Sequence, residues 1–469
     1  MINNNLKILL LLVGLGLMIL LLLDSIGFDG LYGQDAYEYI RQARETKSAL
    51  LNFSKPQDFY WAPGYPIALG LLDLAINNMV VSAQLMSVIV WSLTLFACWK
   101  VLTLFESTQF SFVICIIASV GFSAYFFRIC FTSMSDGLTT LFVTLTFYKF
   151  FQFETKRETK SLYWIIVFAA LSVFTRYAAF PLILIPACFS FWILVKQKEW
   201  KFLFFGGITT VIFSTLFVLL KDTSPNQILG HSIVKDWSIA NYWKSSFKNE
   251  QGNLKYALPN IIYALYPFGH LGFLWLTIPI LLLNRKISQI TKYKWVWISL
   301  GVYLLFIAGI PFQNKRFLVL TVPLVFMALI PSVLNLMARQ KKRIVTTGFL
   351  GILVANLILS VYSFEKVFYI QQQEQRLYAK ISTFEIERLN TFEVDLALKQ
   401  RGFKGVLINL WKVDSVEPQH GDYFLINSSK WGTQWNHHQL MKNVNKILSF
   451  EGIELVEEYE NGWQLWLYE

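Results

Sequence analysis

Apolar runs long enough to cross a bilayer recur along most of this chain, and no other feature constrains its fold as tightly. A spanning helix needs about 20 mostly apolar residues. Such runs lie near 6–23, 80–104, 109–127, 136–153, 161–179, 181–195, 202–220, 259–283, 295–312, 317–337 and 344–363. A soluble fold could not bury them: 55% of the 469 residues are hydrophobic and only 15% are charged, against about 25% charged in soluble domains. The chain is therefore expected to be an all-α polytopic membrane protein with about eleven transmembrane helices. The first run exceeds the usual signal-peptide core of about 7–15 residues and no small-residue cleavage site follows it, so it reads as a retained span. Cys98, Cys115, Cys130 and Cys188 all fall outside the long polar segments, which argues against a disulfide framework. The net charge of +11 is expected in cytoplasmic loops and is no sign of nucleic-acid binding.

Loop charge sets the topology. The clusters Lys156-Arg157-Lys160, Lys196-Lys198-Lys201, Arg285-Lys286-Lys292-Lys294 and Arg339-Lys341-Lys342-Arg343 fall in every second loop. The positive-inside rule places all four in the cytoplasm. That holds with a cytoplasmic N-terminus only if the short run 64–76 lies in the interface and does not span. The first external loop is then 24–79, with interfacial helices, and a second is 221–258. Asp35, Arg128, Asp136, Arg176, Lys315 and Arg316 all face outward. So does everything from about residue 364. Polar chemistry is gathered at one membrane face, unlike the midplane charges expected of an ion transporter.

Residues 1–363 are expected to form the membrane module and 364–469 a small extracytoplasmic α/β domain. VLINL (406–410) and DYFLIN (422–427) read as strands, and Asn436–Phe450 as a helix capped by Asn436. IELVEEY and WQLWLYE flank Asn461-Gly462, a hairpin signal.

Several outward residues admit two readings. In GQDAYEYIRQARE (33–45), Asp35, Tyr39 and Ala43 share one helical face. Asp35 with Glu38 three positions on is a capping-box pattern, and Arg41 with Glu45 an i,i+4 pair. Asp35 is thus a helix cap or a functional acid. In FFRICFTSMSDGL (126–138), Arg128 is a headgroup anchor or a ligand-binding cation, and Asp136 a cap or a second acid. Arg176, in FTRYAAFPL before Pro181, and Lys315-Arg316, in QNKRFLVLTVP, are interfacial anchors or part of a site. Loop 221–258 carries His231, Asp236, Trp237, Tyr242 and Trp243, an aromatic belt or a sugar-site lining, and His437-His438 reads as a solvated pair. No Gly-rich nucleotide loop, HExxH or Ser elbow is present.

The order of these motifs resembles a known family. An acid in a helix of the first external loop precedes YWAPGYP (60–66). RICFTSMSD (128–136), TRYAAFPLILIP (175–186) and KRFLVLTVP (315–323) follow. Over about residues 1–340 this is similar to the GT-C glycosyltransferases of the protein O-mannosyltransferase and aminoarabinose transferase type. The resemblance implies transfer of a sugar from a polyprenyl-phosphate carrier to a glycan, lipid or protein acceptor at the extracytoplasmic face of a bacterial inner membrane. It implies Asp35 and Asp136 as the catalytic acids. Substrate contacts would come from Arg128, Arg176, Lys315, Arg316, Tyr39 and Tyr65. Many members carry a second acid directly after the first, where this chain has Ala36, so a divalent metal stays open and no metal ligand is assigned. Aminoarabinose transferases carry an acidic-basic pair before the Pro, where this chain has Trp61-Ala62.

The expected chemistry is a single inverting displacement. Asp35 takes a proton from the attacking hydroxyl, and cations hold the phosphate leaving group. A non-enzymatic polyprenyl-phosphate binder or flippase would use the same cations without needing Asp35. A structural membrane subunit would need its external domain and neither acid.

Overall fold

The computed structural model describes residues 4–56, 59, 61–105, 110–221, 235–249, 252–283, 294–339 and 342–469. Its helices are α1 (Asn4–Ser25), α2 (Gly33–Leu51), α3 (Gly64–Ile76), α4 (Met79–Leu102), α5 (Phe110–Ile116), α6 (Ala124–Cys130), α7 (Ser135–Lys156), α8 (Thr159–Thr175), α9 (Phe180–Lys196) and α10 (Trp200–Lys221). A hairpin of β1 (Ser246–Asn249) and β2 (Gly252–Lys255) follows. Then come α11 (Asn260–Ala264), α12 (Tyr266–Gly269), α13 (Thr277–Leu283), α14 (Lys294–Ala308), α15 (Lys315–Val319), α16 (Val322–Arg339) and the long α17 (Lys342–Ile381).

Among the described residues, six helical segments are long and apolar enough to cross a membrane: Asn4–Ser25, Met79–Leu102, Tyr177–Lys196, Trp200–Leu220, Lys315–Asn335 and Thr346–Ile381. They make this a multi-pass membrane protein. The run at 109–127 is a broken helix: Phe112–Gly121 and Ala124–Cys130 meet at 80° after a π turn, Ile117–Gly121. The run at 259–283 is not one straight span either, for it divides into α11, α12 and α13 around Pro267 and the turn at 270–276. Among the described residues, eleven uninterrupted spanning helices are therefore not found. Helix α3 matches the short run 64–76. At 13 residues it is about 20 Å long, short of a hydrocarbon core of about 30 Å. Its Asp73 accepts from Lys47 Nζ and from Ser82 Oγ, each at 2.8 Å, and so ties α3 to α2 and α4.

Helix α7 lies deep in the bundle, against α4 and α8. Its threonines suit that position: the hydroxyls of Thr139, Thr140 and Thr146 donate to carbonyls one turn back at 2.8, 2.8 and 2.9 Å, so no polar group is left bare. Asp136 begins this helix and Lys156 ends it, which sets the acid and the basic cluster a bilayer thickness apart.

The C-terminal region is a mixed five-stranded sheet. Its strands are β3 (Arg388–Thr391), β4 (Val406–Asn409), β5 (Tyr423–Ile426), β6 (Ile453–Glu458) and β7 (Gln464–Tyr468), in the order β4-β3-β5-β7-β6. The hairpin expected around Asn461-Gly462 is β6–β7, with both turn residues at positive φ. Strand β3, internal and parallel to β4 and β5, has no counterpart among the strands expected from the sequence. The helix expected at 436–450 is instead α20 (Gln439–Ile447), preceded by α19 (Ser428–Trp435), while α18 (Asp395–Gln400) follows β3. Asn436 ends α19, and His438 caps α20 by accepting from Leu440 N. His438 also stacks on Trp411 at 3.7 Å between ring centroids, so the histidine pair is not simply solvated. The sheet has its own apolar core, to which Leu377 and Ile381 of α17 contribute.

Candidate active site

Four loops and helix ends meet at one end of the bundle. The first carries Asp35. Helix α2 starts at Gly33, whose φ of +63° is a left-handed conformation that glycine adopts without steric cost. Asp35 is not the cap: the N-cap is Tyr32, whose side chain caps nothing, and Asp35 sits in the first turn. Glu38 binds Arg41 and Gln42 within the helix, and Arg41 also pairs with Glu45. The capping-box expectation fails, and the i,i+4 pair is present.

The second segment begins α7. Here too the acid does not cap, since Met134 is the N-cap residue and no side chain bonds the helix end. Asp136 instead lies fully buried between two arginines. Arg176 Nη1 stands 2.8 Å from Asp136 Oδ1, while Arg316 donates to Oδ2 from Nε at 3.0 Å and Nη2 at 2.8 Å. Arg316 Nη1 also donates to Asp35 Oδ2. One guanidinium thus bridges both acids, a use of its fork that an ammonium could not copy. Asp35 is about one-third exposed, and among the described residues its Oδ1 makes no hydrogen bond.

Local structure supplies the arginines. Asn314 accepts from Arg316 N and starts α15, so Lys315 and Arg316 leave its first turn in different directions. Arg176 terminates α8 in an extended conformation and lies over the Phe317 ring at 4.7 Å. The glycine of YWAPGYP permits the approach of α3: a Cβ on Gly64 would stand 2.8 Å from Phe174 O and Thr175 Cα, next to Arg176. Tyr60 lies outside the described residues. Tyr39 and Tyr65, expected at the substrate, are both buried beneath the cluster. Their rings meet edge to face at 5.1 Å, and Tyr39 Oη is 2.8 Å from Ser135 Oγ. Tyr39 thus touches the residue next to Asp136.

Arg128 and Lys315 are arranged differently. Both lie over the ring of Tyr125, at 5.1 and 4.9 Å, and Lys315 Nζ donates to Tyr125 Oη at 2.7 Å. Arg128 donates to the carbonyl of Ser363 at 3.1 Å. Among the described residues no carboxylate pairs with either cation. Tyr32 lies in the electrostatic field of Arg128, Arg316, Asp35 and Asp136 together, which joins the two groups, and burial raises its hydroxyl pKa. The Tyr125 ring also packs against His270 and Phe273 at 5.5 and 5.0 Å. Phe273 belongs in turn to the lining of an open, largely apolar pocket, with Ile280, Phe326, Leu329 and Phe349. Nothing in the sequence marked Tyr125, His270 or this cavity.

The contents of loop 221–258 divide. His231 lies outside the described residues. Trp237 and Tyr242 bond the carbonyls of Phe306 and Leu305, each at 2.8 Å, and Trp243 is exposed. Among the described residues no three His, Cys, Asp or Glu side chains gather as metal ligands. Between Asp35 and Asp136 the Arg316 guanidinium fills the position an ion would take. The residues present do not fit a divalent cation there.

No family model matches the sequence, and no curated protein matches it. Solved structures do match. ArnT from Cupriavidus metallidurans bound to undecaprenyl phosphate aligns with a TM-score of 0.61 at 10% identity, over 97% of this chain and 98% of that one. The same protein in its apo state aligns with a TM-score of 0.64 at 9% identity, over 98% and 97%. The likeness read from scattered motifs over residues 1–340 thus extends, as fold, through the C-terminal sheet. This chain has the fold of ArnT, a GT-C-type fold, along nearly its whole length.

Proposed function

We propose that this protein is an integral membrane glycosyltransferase that moves a sugar from a polyprenyl-phosphate carrier to an acceptor at the extracytoplasmic face. The observation that carries the reading is the presence, around Tyr32, of a part-exposed carboxylate, Asp35, and of a cation, Arg128, which with its neighbour Lys315 has no carboxylate partner among the described residues. It sits on a fold whose solved example is bound to undecaprenyl phosphate.

In this reading the acceptor hydroxyl attacks the anomeric carbon in line with the departing phosphate oxygen. A new C–O bond forms, the C–O bond to phosphate breaks with inversion, and the hydroxyl proton passes to Asp35 Oδ1. Arg316 holds Oδ2 and fixes the carboxylate. The phosphate leaves as an anion and needs cations rather than a protonated acid. Arg128 and Lys315 meet that need around Tyr125, and the cavity that starts at Phe273 receives the first part of the polyprenyl chain. Asp136 acts by orienting Arg176 and Arg316. The positive-inside rule puts this end of the bundle outside and the N-terminus in the cytoplasm.

The test compares envelope glycolipids and glycans by mass spectrometry in cells lacking the gene and cells restored with wild type or with Asp35→Asn. A sugar that disappears with the gene and returns only with wild type supports the reading and names the donor. Full restoration by Asp35→Asn at normal membrane abundance sinks it. A lipid-carrier binder or flippase gives that second result.

A further inference from the structure

The helix that carries Asp35 has no local cap, and its first turn is held from far away in sequence. Glu374, on α17, is 4% exposed and spends both carboxylate oxygens on this turn. Oε1 accepts from Gly33 N at 2.9 Å and Oε2 from Tyr37 Oη at 2.8 Å. Arg401, just past α18, donates to the same tyrosine oxygen at 3.3 Å. Gln34 donates to Asp395 Oδ1 at 3.3 Å, and the other oxygen of Asp395 accepts from Asn409 of β4 at 2.8 Å. Before the helix begins, Asp29 Oδ1 accepts from Leu31 N at 2.9 Å and from Gln371 Nε2 at 2.5 Å.

Asp35 is thus bracketed. Residues 33, 34 and 37 are each bonded to the long helix or to the C-terminal sheet region. A carboxylate at a helix N-terminus is favoured by the exposed N–H groups and the helix dipole. It is usually supplied by the cap residue itself. Here it comes from another element, so the first turn of α2 takes its native geometry only when α17 and the sheet region are in place. Burial also makes the arrangement strict: a buried carboxylate tolerates few lost partners.

We infer that the C-terminal region is a clamp on the helix bearing Asp35, with Glu374 as the positioning residue that fixes the carboxylate against Arg316. This rests on the reading of Asp35 as the base. It gives the C-terminal domain a role that requires neither a partner protein nor chemistry of its own.

The experiment uses the full-length protein in nanodiscs and the envelope assay together. Glu374→Ala is expected to speed hydrogen exchange in residues 33–37 by about ten-fold or more. It should lower sugar transfer roughly ten- to hundred-fold, as a small misplacement of a reacting group does. Retention of undecaprenyl phosphate, the probe, should stay at the wild-type level by native mass spectrometry, since Arg128 and Lys315 lie on other elements and the bond of Arg128 to α17 is made at Ser363, about three turns before Glu374. Glu374→Gln keeps one acceptor for Gly33 N–H and should restore part of both losses. If Glu374→Ala does not accumulate, Tyr37→Phe removes one donor, keeps the ring, and should shift both readouts in the same direction by less. Unchanged transfer in Glu374→Ala, or loss of transfer together with probe binding, overturns the clamp. If Asp35→Asn abolishes transfer while Glu374→Ala does not, the clamp alone falls. If Asp35→Asn leaves transfer intact, the reading of Asp35 as the base falls, and the exchange data still decide whether Glu374 orders the turn.

Discussion

Two pairs of cations stand at the same end of this bundle, and they are balanced in opposite ways. Arg176 and Arg316 are matched by Asp136 and Asp35, so that group is a neutral, cross-braced unit joining α2, α7, α8 and α15. Among the described residues, Arg128 and Lys315 are matched only by the quadrupole of one tyrosine ring and by neutral oxygens. Neighbouring residues 315 and 316 even fall on opposite sides of the division. A buried charge must be paired to be tolerated at all, so the first pair serves the structure before it can serve a ligand. The second pair keeps its charge available. As sequence, all four were one set of outward cations. Burial sorts them.

The sharpest way to break this contrast is to unbalance the neutral group. Asp136→Asn leaves two poorly exposed guanidiniums short of a countercharge and should cost about 3–5 kcal/mol of stability, read as a fall in thermal unfolding midpoint in detergent. An unchanged midpoint would mean the group is not a structural unit. Next, Arg316→Lys retains the charge but cannot bridge Asp35 and Asp136. A loss of roughly 2 kcal/mol of transition-state stabilisation is expected, seen as a drop in transfer with the protein still folded. Arg128→Ala and Lys315→Ala should each weaken undecaprenyl phosphate binding about ten-fold while leaving the unfolding midpoint near wild type. If Arg128→Ala destabilised the protein as Asp136→Asn does, the division between the pairs would collapse. Smallest of all, Glu460→Gln breaks the surface pair with Arg376, whose side chains are 76% and 66% exposed, and should move stability by less than about 1 kcal/mol.

The candidate site was partly legible because its members are polar residues placed where apolar runs end. Such positions stand out in a membrane protein, and loop-charge parity put them at one face. The contacts now bring Asp35, Asp136, Arg176 and Arg316 together, in agreement with that shared face. Their roles were less legible. Asp35 and Asp136 both fit a capping pattern, and neither caps, because a guanidinium competes for each carboxylate more strongly than a backbone N–H does. Tyr39 shared a helical face with Asp35 as expected, but α3 and α7 cover that face, so its hydroxyl meets Ser135 and no solvent. Tyr125 and His270 gave no signal, since an aromatic at a helix end is ordinary in a membrane protein.

By itself, the sequence determined the class of molecule, since solvent decides it. Apolar length demands a bilayer, basic loops carry the expectation of its orientation, and period-two alternation beside Asn461-Gly462 demands a hairpin. Only the tertiary structure decided what Asp35 leans on. Its two nearest controls, Arg316 and Glu374, lie 281 and 339 positions further along the chain. No local pattern links residues that far apart. Their meeting follows from the packing of α15 against α6 and α7 and from α17 passing the start of α2. Buried carboxylates take whichever cations and N–H groups that packing brings within reach.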